Sequence, residues 1–300
     1  MIPMNIPRRF SLLTLLFFIA FLAAPAPGQQ ISYHRVEQAA VEERLKGSPS
    51  DNLGRQKKLR QLFEAVGCKG EALTEVEVEG SALPNLVCKM PGQHDSVIIV
   101  GAHYDKVGTG NGVVDNWSGA ALLVSLFESL QTEPRRHIFL FVGFTDEEKG
   151  LVGSEQFVEQ LSPWQRSRIR AMVNLDSLGL SPTKVWLSKA DKGLAQALNN
   201  VAHSMKLPLA AVNAEQVGRA DAESFANYNI PSLTIHSVTQ ETFPILHSQQ
   251  DTLGAIRMDD YYATYRLVAA YLSYLDQKLA AGKEEAPVKR IERTSGETQK

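Results

Sequence analysis

Three apolar runs in the middle of the chain constrain its fold more than anything else: SVIIVGAHYD (96–105), HIFLFVGF (137–144) and IRAMVNLDS (169–177). The first is hydrophobic without alternation, the pattern of a strand covered on both faces, the second reads as a buried strand and the third as a strand. Between and after them come segments with helical spacing, SGAALLVSLFESLQ, GLVGSEQFVEQL and KGLAQALNNVAHSM. PSLTIHSV reads as a further strand and MDDYYATYRLVAAYLSYLDQKLA as a long closing helix. Upstream, VEQAAVEERL and LGRQKKLRQLFEAVG read as helices split by the turn KGSPSDN, with strands expected in LTEVEVEG and PNLVCKM. Strands alternating with helices predict an α/β chain, a three-layer α/β/α sandwich around a mixed, largely parallel sheet. No Gly/Ser-rich linker breaks residues 95–280, so a single domain over 29–280 is expected.

The two ends differ from this middle. Arg8 and Arg9 precede FSLLTLLFFIAFLAA, which gives way to the small, Pro-rich PAPGQQ. That order of charge, apolar core and small residues is the order of a secretory signal peptide, expected over residues 1–28, an uncleaved anchor being the alternative; the mature chain is then expected to be exported, periplasmic or secreted, with no stable membrane association after cleavage. Residues 281–300 are charged and poor in apolar side chains, the composition of a disordered tail. Thirty-one basic against 33 acidic residues, with no dense basic stripe, give a nucleic-acid partner no electrostatic support. The cluster Arg55, Lys57, Lys58 and Arg60 lies among Leu59, Leu62 and Phe63 at helical spacing and reads as a solvated helix face. The only two cysteines, Cys68 and Cys88, leave two readings open, a bridge from helix end to sheet edge or two buried thiols.

In α/β sheets, ligands collect beyond the carboxyl ends of the strands. That edge is acidic here. The first long run ends in His103 and Asp105, the second leads into Glu147 and Glu148, and the third ends in Asp176. Asp115 precedes a helix in GVVDNWSGA, and His247 lies before the closing helix in PILHSQQDT. Taken singly, Asp115 reads as a helix cap, Glu147 and Glu148 as a solvated turn, and either histidine as an ordinary hydrogen-bonded residue. Together they bring nitrogen and oxygen donors of the kinds zinc accepts to one place, where cations would offset the carboxylates' repulsion. No G-x-S-x-G elbow supports a serine hydrolase, and GTGNG (108–112) lacks the lysine and spacing of a phosphate loop.

The words GAHYDKV, VDNWSGAA, DEEKGLVGS, NLDSLG, ADAESF and HSQQDT, in that order, resemble the zinc aminopeptidases of the aminopeptidase Y and bacterial leucyl aminopeptidase type. That family also contains the glutaminyl cyclases. The resemblance implies a zinc-exopeptidase-like fold and two zinc ions per chain, held by His103, Asp115, Glu148, Asp176 and His247. Asp115 would bridge the ions, with Glu148 and His247 on one and His103 and Asp176 on the other. It further implies that Glu147 is the general base, that Asp105 orients His103, and that the Asp115–Asn116 peptide bond is cis. The implied activity is hydrolysis of N-terminal residues from peptides with a free N-terminus. Ala220-Asp221-Ala222 departs from the family's SDH-like element, leaving Asp221 as its one matching side chain. Phe225, His236 and Phe243 flank matched words and are expected, with Asp221, to meet substrate, core packing being the other reading of Phe225, His236 and Phe243. A glutaminyl cyclase with one catalytic zinc, or a binding domain without catalysis, is the alternative. Leu246 stands where the cyclases commonly carry a tryptophan.

Overall fold

The computed structural model describes residues 31–213 and 218–280. The expected signal peptide and charged tail lie outside them. Chain order is α1 (Gln38–Lys46), α2 (Asn52–Ala65), β1 (Leu73–Val76), β2 (Asn85–Met90), β3 (Val97–His103), α3 (Ser118–Leu130) and β4 (Ile138–Phe144). There follow α4 (Val152–Glu159), α5 (Pro163–Arg168), β5 (Ile169–Leu175), β6 (Lys184–Val185), α6 (Lys192–Met205), β7 (Ala210–Ala211), α7 (Ala222–Ala226), β8 (Ser232–His236) and α8 (Met258–Lys278).

One sheet of eight strands runs in the order β1-β2-β4-β3-β5-β8-β6-β7. Its centre is parallel: β3 lies between β4 and β5, and β8 follows β5. Antiparallel pairs flank this centre, β1–β2 and β2–β4 on one side and β8–β6 on the other. The expected mixed, largely parallel sheet is therefore present.

Alternate residues of the central strands serve two cores. Ile98, Val100 and Ala102 of β3 and Phe139 and Phe141 of β4 pack with α1, α2, α3, α6 and α8. Ile99, Val142 and Phe144 point the other way, into a smaller cluster with Phe157 and Val158 of α4 and Ala222 and Phe225 of α7. This period-two sorting explains the unbroken hydrophobic runs, because both faces are covered. α3 is buried along almost its whole length. The long α8 carries Tyr261, Tyr265 and Tyr271, each fully buried with its hydroxyl hydrogen-bonded: Tyr261 and Tyr271 donate to Ser118 O and Leu194 O, and Tyr265 accepts from Val36 N–H. Cys68 and Cys88 form a disulfide, joining the end of the α2 segment to β2. Among the described residues, no helix is long and apolar enough to cross a membrane.

Arg55 corrects the reading of the basic cluster. It is fully buried and donates to the carbonyls of Pro49, Tyr104, Asn111 and Gly112. Its place four and eight residues before Leu59 and Phe63, both fully buried, puts it on the inward stripe of α2.

Candidate metal centre

His103 is the last residue of β3, Glu147 and Glu148 form a single 3₁₀ turn after β4, and Asp176 follows β5 directly. The carboxyl ends of three parallel neighbours thus bring these side chains together, as the strand order requires. Asp115 comes from the turn before α3 and His247 from the loop after β8. The Asp115–Asn116 peptide bond is cis, as the resemblance implies.

Two groups of three donors share Asp115. His103, Asp115 and Asp176 offer atoms within 4.8 Å of one another, and so do Asp115, Glu148 and His247. The shared carboxylate has one oxygen on each side: Oδ1 lies 3.2 Å from His103 Nε2 and Oδ2 lies 3.1 Å from His247 Nε2. His247 Nε2 is also 3.0 Å from Glu148 Oε2, and His103 Nε2 is 3.8 Å from Asp176 Oδ1. Glu147 Oε2 stands 3.9 Å from His103 Nε2, with His103, Glu147 and Glu148 forming a third donor group.

The supporting contacts explain how two adjacent glutamates are held. Asp105 accepts the backbone N–H of Glu147 on Oδ1 (3.1 Å) and of Glu148 on Oδ2 (3.3 Å). Its Oδ1 lies 3.4 Å from His103 Nδ1, and its backbone carbonyl lies 3.3 Å from the same nitrogen. One buried carboxylate therefore ties the β3 end to the glutamate turn, a wider role than orienting His103. Asn116 does the same elsewhere, donating to Leu175 O and accepting from Gly119 N–H and Ser177 N–H. Asp251 accepts the N–H groups of Val114 (2.7 Å) and Asp115 (3.2 Å). Asp146, Leu151, Ser177 and His247 all have positive φ. For residues with a Cβ this costs about 1 kcal/mol or more each, strain gathered around this edge of the sheet.

Electrostatics fit a cation-binding donor set. Burial pushes the Glu147 carboxyl up to about 9, with Asp221, Asp176 and Asp115 adding to the rise and His103 opposing it. Burial also raises Glu148, against the pull of His247. Burial resists ionisation of Asp115, but its bonds to His103 and His247 outweigh this and hold it below the usual carboxylate range. The bonds to Asp115 and Glu148 lift His247 to about 10. Protons thus collect where positive charge is wanted. Glu148 Oε1 is buried with no hydrogen-bond partner, a donor oxygen still to be satisfied. Nitrogen and carboxylate oxygen donors without thiolates suit zinc, and the residues present fit it.

These groups open into a cavity of about 270 Å³, walled further by Leu151, Ser177, Trp186, Arg219, Thr234, His236, Val238 and Leu246. Of the four residues expected to meet substrate, His236 alone lines it. Phe225 is fully buried in the smaller core, its ring 6.1 Å from Phe144 and 6.2 Å from Phe157, so the expectation of a pocket residue is corrected to a packing one. Asp221 is likewise fully buried, outside the lining, and burial raises its carboxyl to about 7. Phe243 is 38% exposed and also outside the lining, which its neighbour Leu246 reaches instead. Sequence reasoning missed Arg55, Asn116, Asp251 and Trp186. For Asp251 the signal was its place four residues after His247, and for Arg55 its place on the apolar stripe.

Comparison with known proteins identifies the family. The model of peptidase family M28 matches residues 85–272. Aminopeptidase YwaD of Bacillus subtilis is 27% identical over 190 residues, covering 59% of this chain and 41% of YwaD. The chain thus spans well under half the length of the curated relatives it matches first. The solved structure of BSAP, a zinc aminopeptidase from Bacillus subtilis, superimposes with a TM-score of 0.58 at 25% identity, over 63% of this chain and 49% of that one. A glutaminyl cyclase from an Acidobacteriales bacterium has the same fold, with a TM-score of 0.68 at 18% identity, over 85% and 99% of the two chains.

Proposed function

We propose, proceeding from the fact that this chain belongs to peptidase family M28, that it is an exported zinc aminopeptidase holding two ions. The observation that carries this reading is the pair of three-donor groups sharing Asp115, with Glu147 beside them. His103 and Asp176 would hold one zinc, Glu148 and His247 the other, and Asp115 both. Zinc bound there supplies Lewis acidity and makes water more acidic.

Glu147 is the residue that moves protons. Its carboxylate takes one from the attacking water and returns it to the leaving amine. Burial gives Glu147 a strong affinity for protons, which the neighbouring His103 opposes. Asp105 fixes the turn that aims it. The acidic lining favours a substrate's free α-ammonium over a blocked N-terminus, which restricts cleavage to the chain end.

Export is supported by residues 1–28 and by the Cys68–Cys88 bond, of a type that persists in oxidising compartments. The second reading, cyclisation of an N-terminal glutamine, draws on the fold shared with the cyclase. Leu246 in the cavity wall, where the cyclases commonly carry tryptophan, disfavours it.

The test is mass spectrometry of products after zinc-loaded protein meets mixed peptides, some beginning with Gln, beside N-acetylated copies. Stepwise loss of N-terminal residues from the free peptides alone, stopped by a chelator, is expected. Loss of ammonia from the Gln peptides alone would establish the cyclase, and no change in any peptide would leave a binding domain.

A further inference from the structure

The family match begins at residue 85, and α2 lies wholly before it, yet α2 reaches the metal centre from behind. The loop leaving β3 after His103 returns to the site at Asp115. Arg55 binds both of its ends. Nη1 donates to Tyr104 O (3.2 Å), the residue after His103, while Nη2 donates to Asn111 O (2.7 Å) and Gly112 O (2.6 Å) on the return. Its other bonds, to Ser48 Oγ and Pro49 O, anchor the guanidinium in the turn before α2. Asn52, one turn earlier, accepts Lys106 N–H at 3.0 Å and donates to Lys106 O at 3.4 Å. Gly112 has φ +60°, and a Cβ there would stand 2.8 Å from Arg55 Nη2. The close approach therefore needs glycine.

We infer that Arg55, assisted by Asn52, is a positioning residue for the metal centre: the first turn of α2 clasps both ends of the loop between His103 and Asp115 and so sets the spacing of those two donors. The inference depends on the reading above only in requiring that these donors hold zinc. Asp251 secures the same return from the opposite side, through the N–H groups of Val114 and Asp115.

Charge and geometry pull in opposite directions here, so an experiment can separate them. Asp251, Asp115, Asp105 and Glu148 all act electrostatically on the Arg55 guanidinium, which burial otherwise makes easier to deprotonate. A fixed cation beside these carboxylates works against a metal ion, so if charge were its main effect its removal would tighten zinc binding. If it holds the donors in place, removal loosens binding.

The measurement is zinc titration of the chelator-stripped full chain by calorimetry, with thermal unfolding recorded for each variant. Arg55→Met is expected to weaken zinc binding at least about 10-fold, the scale of losing an outer support of metal ligands. Arg55→Lys keeps the charge but lacks the fork that reaches both ends, and weakens it too. Asn52→Ala shifts it less, in the same direction. Phe63→Leu, on the same helix and in the core, controls for stability loss and leaves zinc affinity unchanged. Wild-type or tighter binding by Arg55→Met overturns the inference, as does equal zinc loss in Phe63→Leu. Should Arg55→Met not fold, wild-type affinity in both Arg55→Lys and Asn52→Ala overturns it. A wild-type chain that binds zinc but cleaves no peptide sinks the peptidase reading and leaves the clasp standing. One that binds no zinc sinks both.

Discussion

Glu147 and Glu148 are neighbours in the chain and differ in what faces them: Glu148 meets His247 at 3.0 Å, while Glu147 lies over His103 at 3.9 Å. Substitution should separate them. Glu147→Gln is expected to retain zinc and lose about 10²–10⁴-fold in kcat, the range for a general base. Glu148→Ala is expected to lower the zinc held per chain, read by elemental analysis. Full turnover in zinc-loaded Glu147→Gln would show that the proton moves elsewhere. His236 makes a different kind of prediction. Its Nδ1 accepts Val238 N–H and its Nε2 faces Val212 O, and burial brings its pKa down to about 4. The unfolded chain would protonate this histidine near pH 6.5, so its contribution is complete above that and lost as pH falls toward 4. Urea midpoints at pH 7.5 and pH 5 should differ less in His236→Phe than in the wild type. At this scale the sequence was legible where chemistry is concentrated, since the six acidic and histidine side chains of the candidate metal centre are rare company at one sheet edge. Phe225 was not legible, because a phenylalanine lining a pocket and one filling a core look alike until α7 is placed against β4.

The long strands and helices could be read because each carries enough residues to show a period. β6, β7, α5 and α7 could not: two-residue strands have no period, and α5 and α7 span only six and five residues. They matter nonetheless, since Trp186 follows β6 and walls the cavity. The disulfide belongs to this scale. It links positions 20 residues apart and is buried at both ends. A cross-link closing a loop of this length stabilises by about 3 kcal/mol. Replacing both cysteines with serine should lower the unfolding free energy by roughly that amount in urea titrations, with the zinc content unchanged. An unaltered midpoint would mean that packing alone holds α2 against β2.

For the whole molecule, zinc bound as proposed would be thermodynamically linked to the fold. A ligand that binds only the folded chain adds about 2.7 kcal/mol at 100 times its Kd. Thermal unfolding should therefore rise with free zinc and fall with chelator, and a midpoint indifferent to both would exclude a bound structural role for the ion. The sheet order could not be read from the sequence, because nothing local tells β4 to sit between β2 and β3; only the outcome, acidic residues at the carboxyl ends of neighbouring strands, was visible in the words. That outcome also governs time. The two groups that share Asp115 are complete only at Asp176 and at His247, and β3, β4 and β5 must be paired before His103, Glu148 and Asp176 can meet. Zinc bound as proposed would therefore arrive after the ordering of these distant segments, the step expected to be slow. Its presence should leave the refolding rate nearly unchanged and act as a brake on unfolding, lengthening the life of the native state in whatever solution the chain meets.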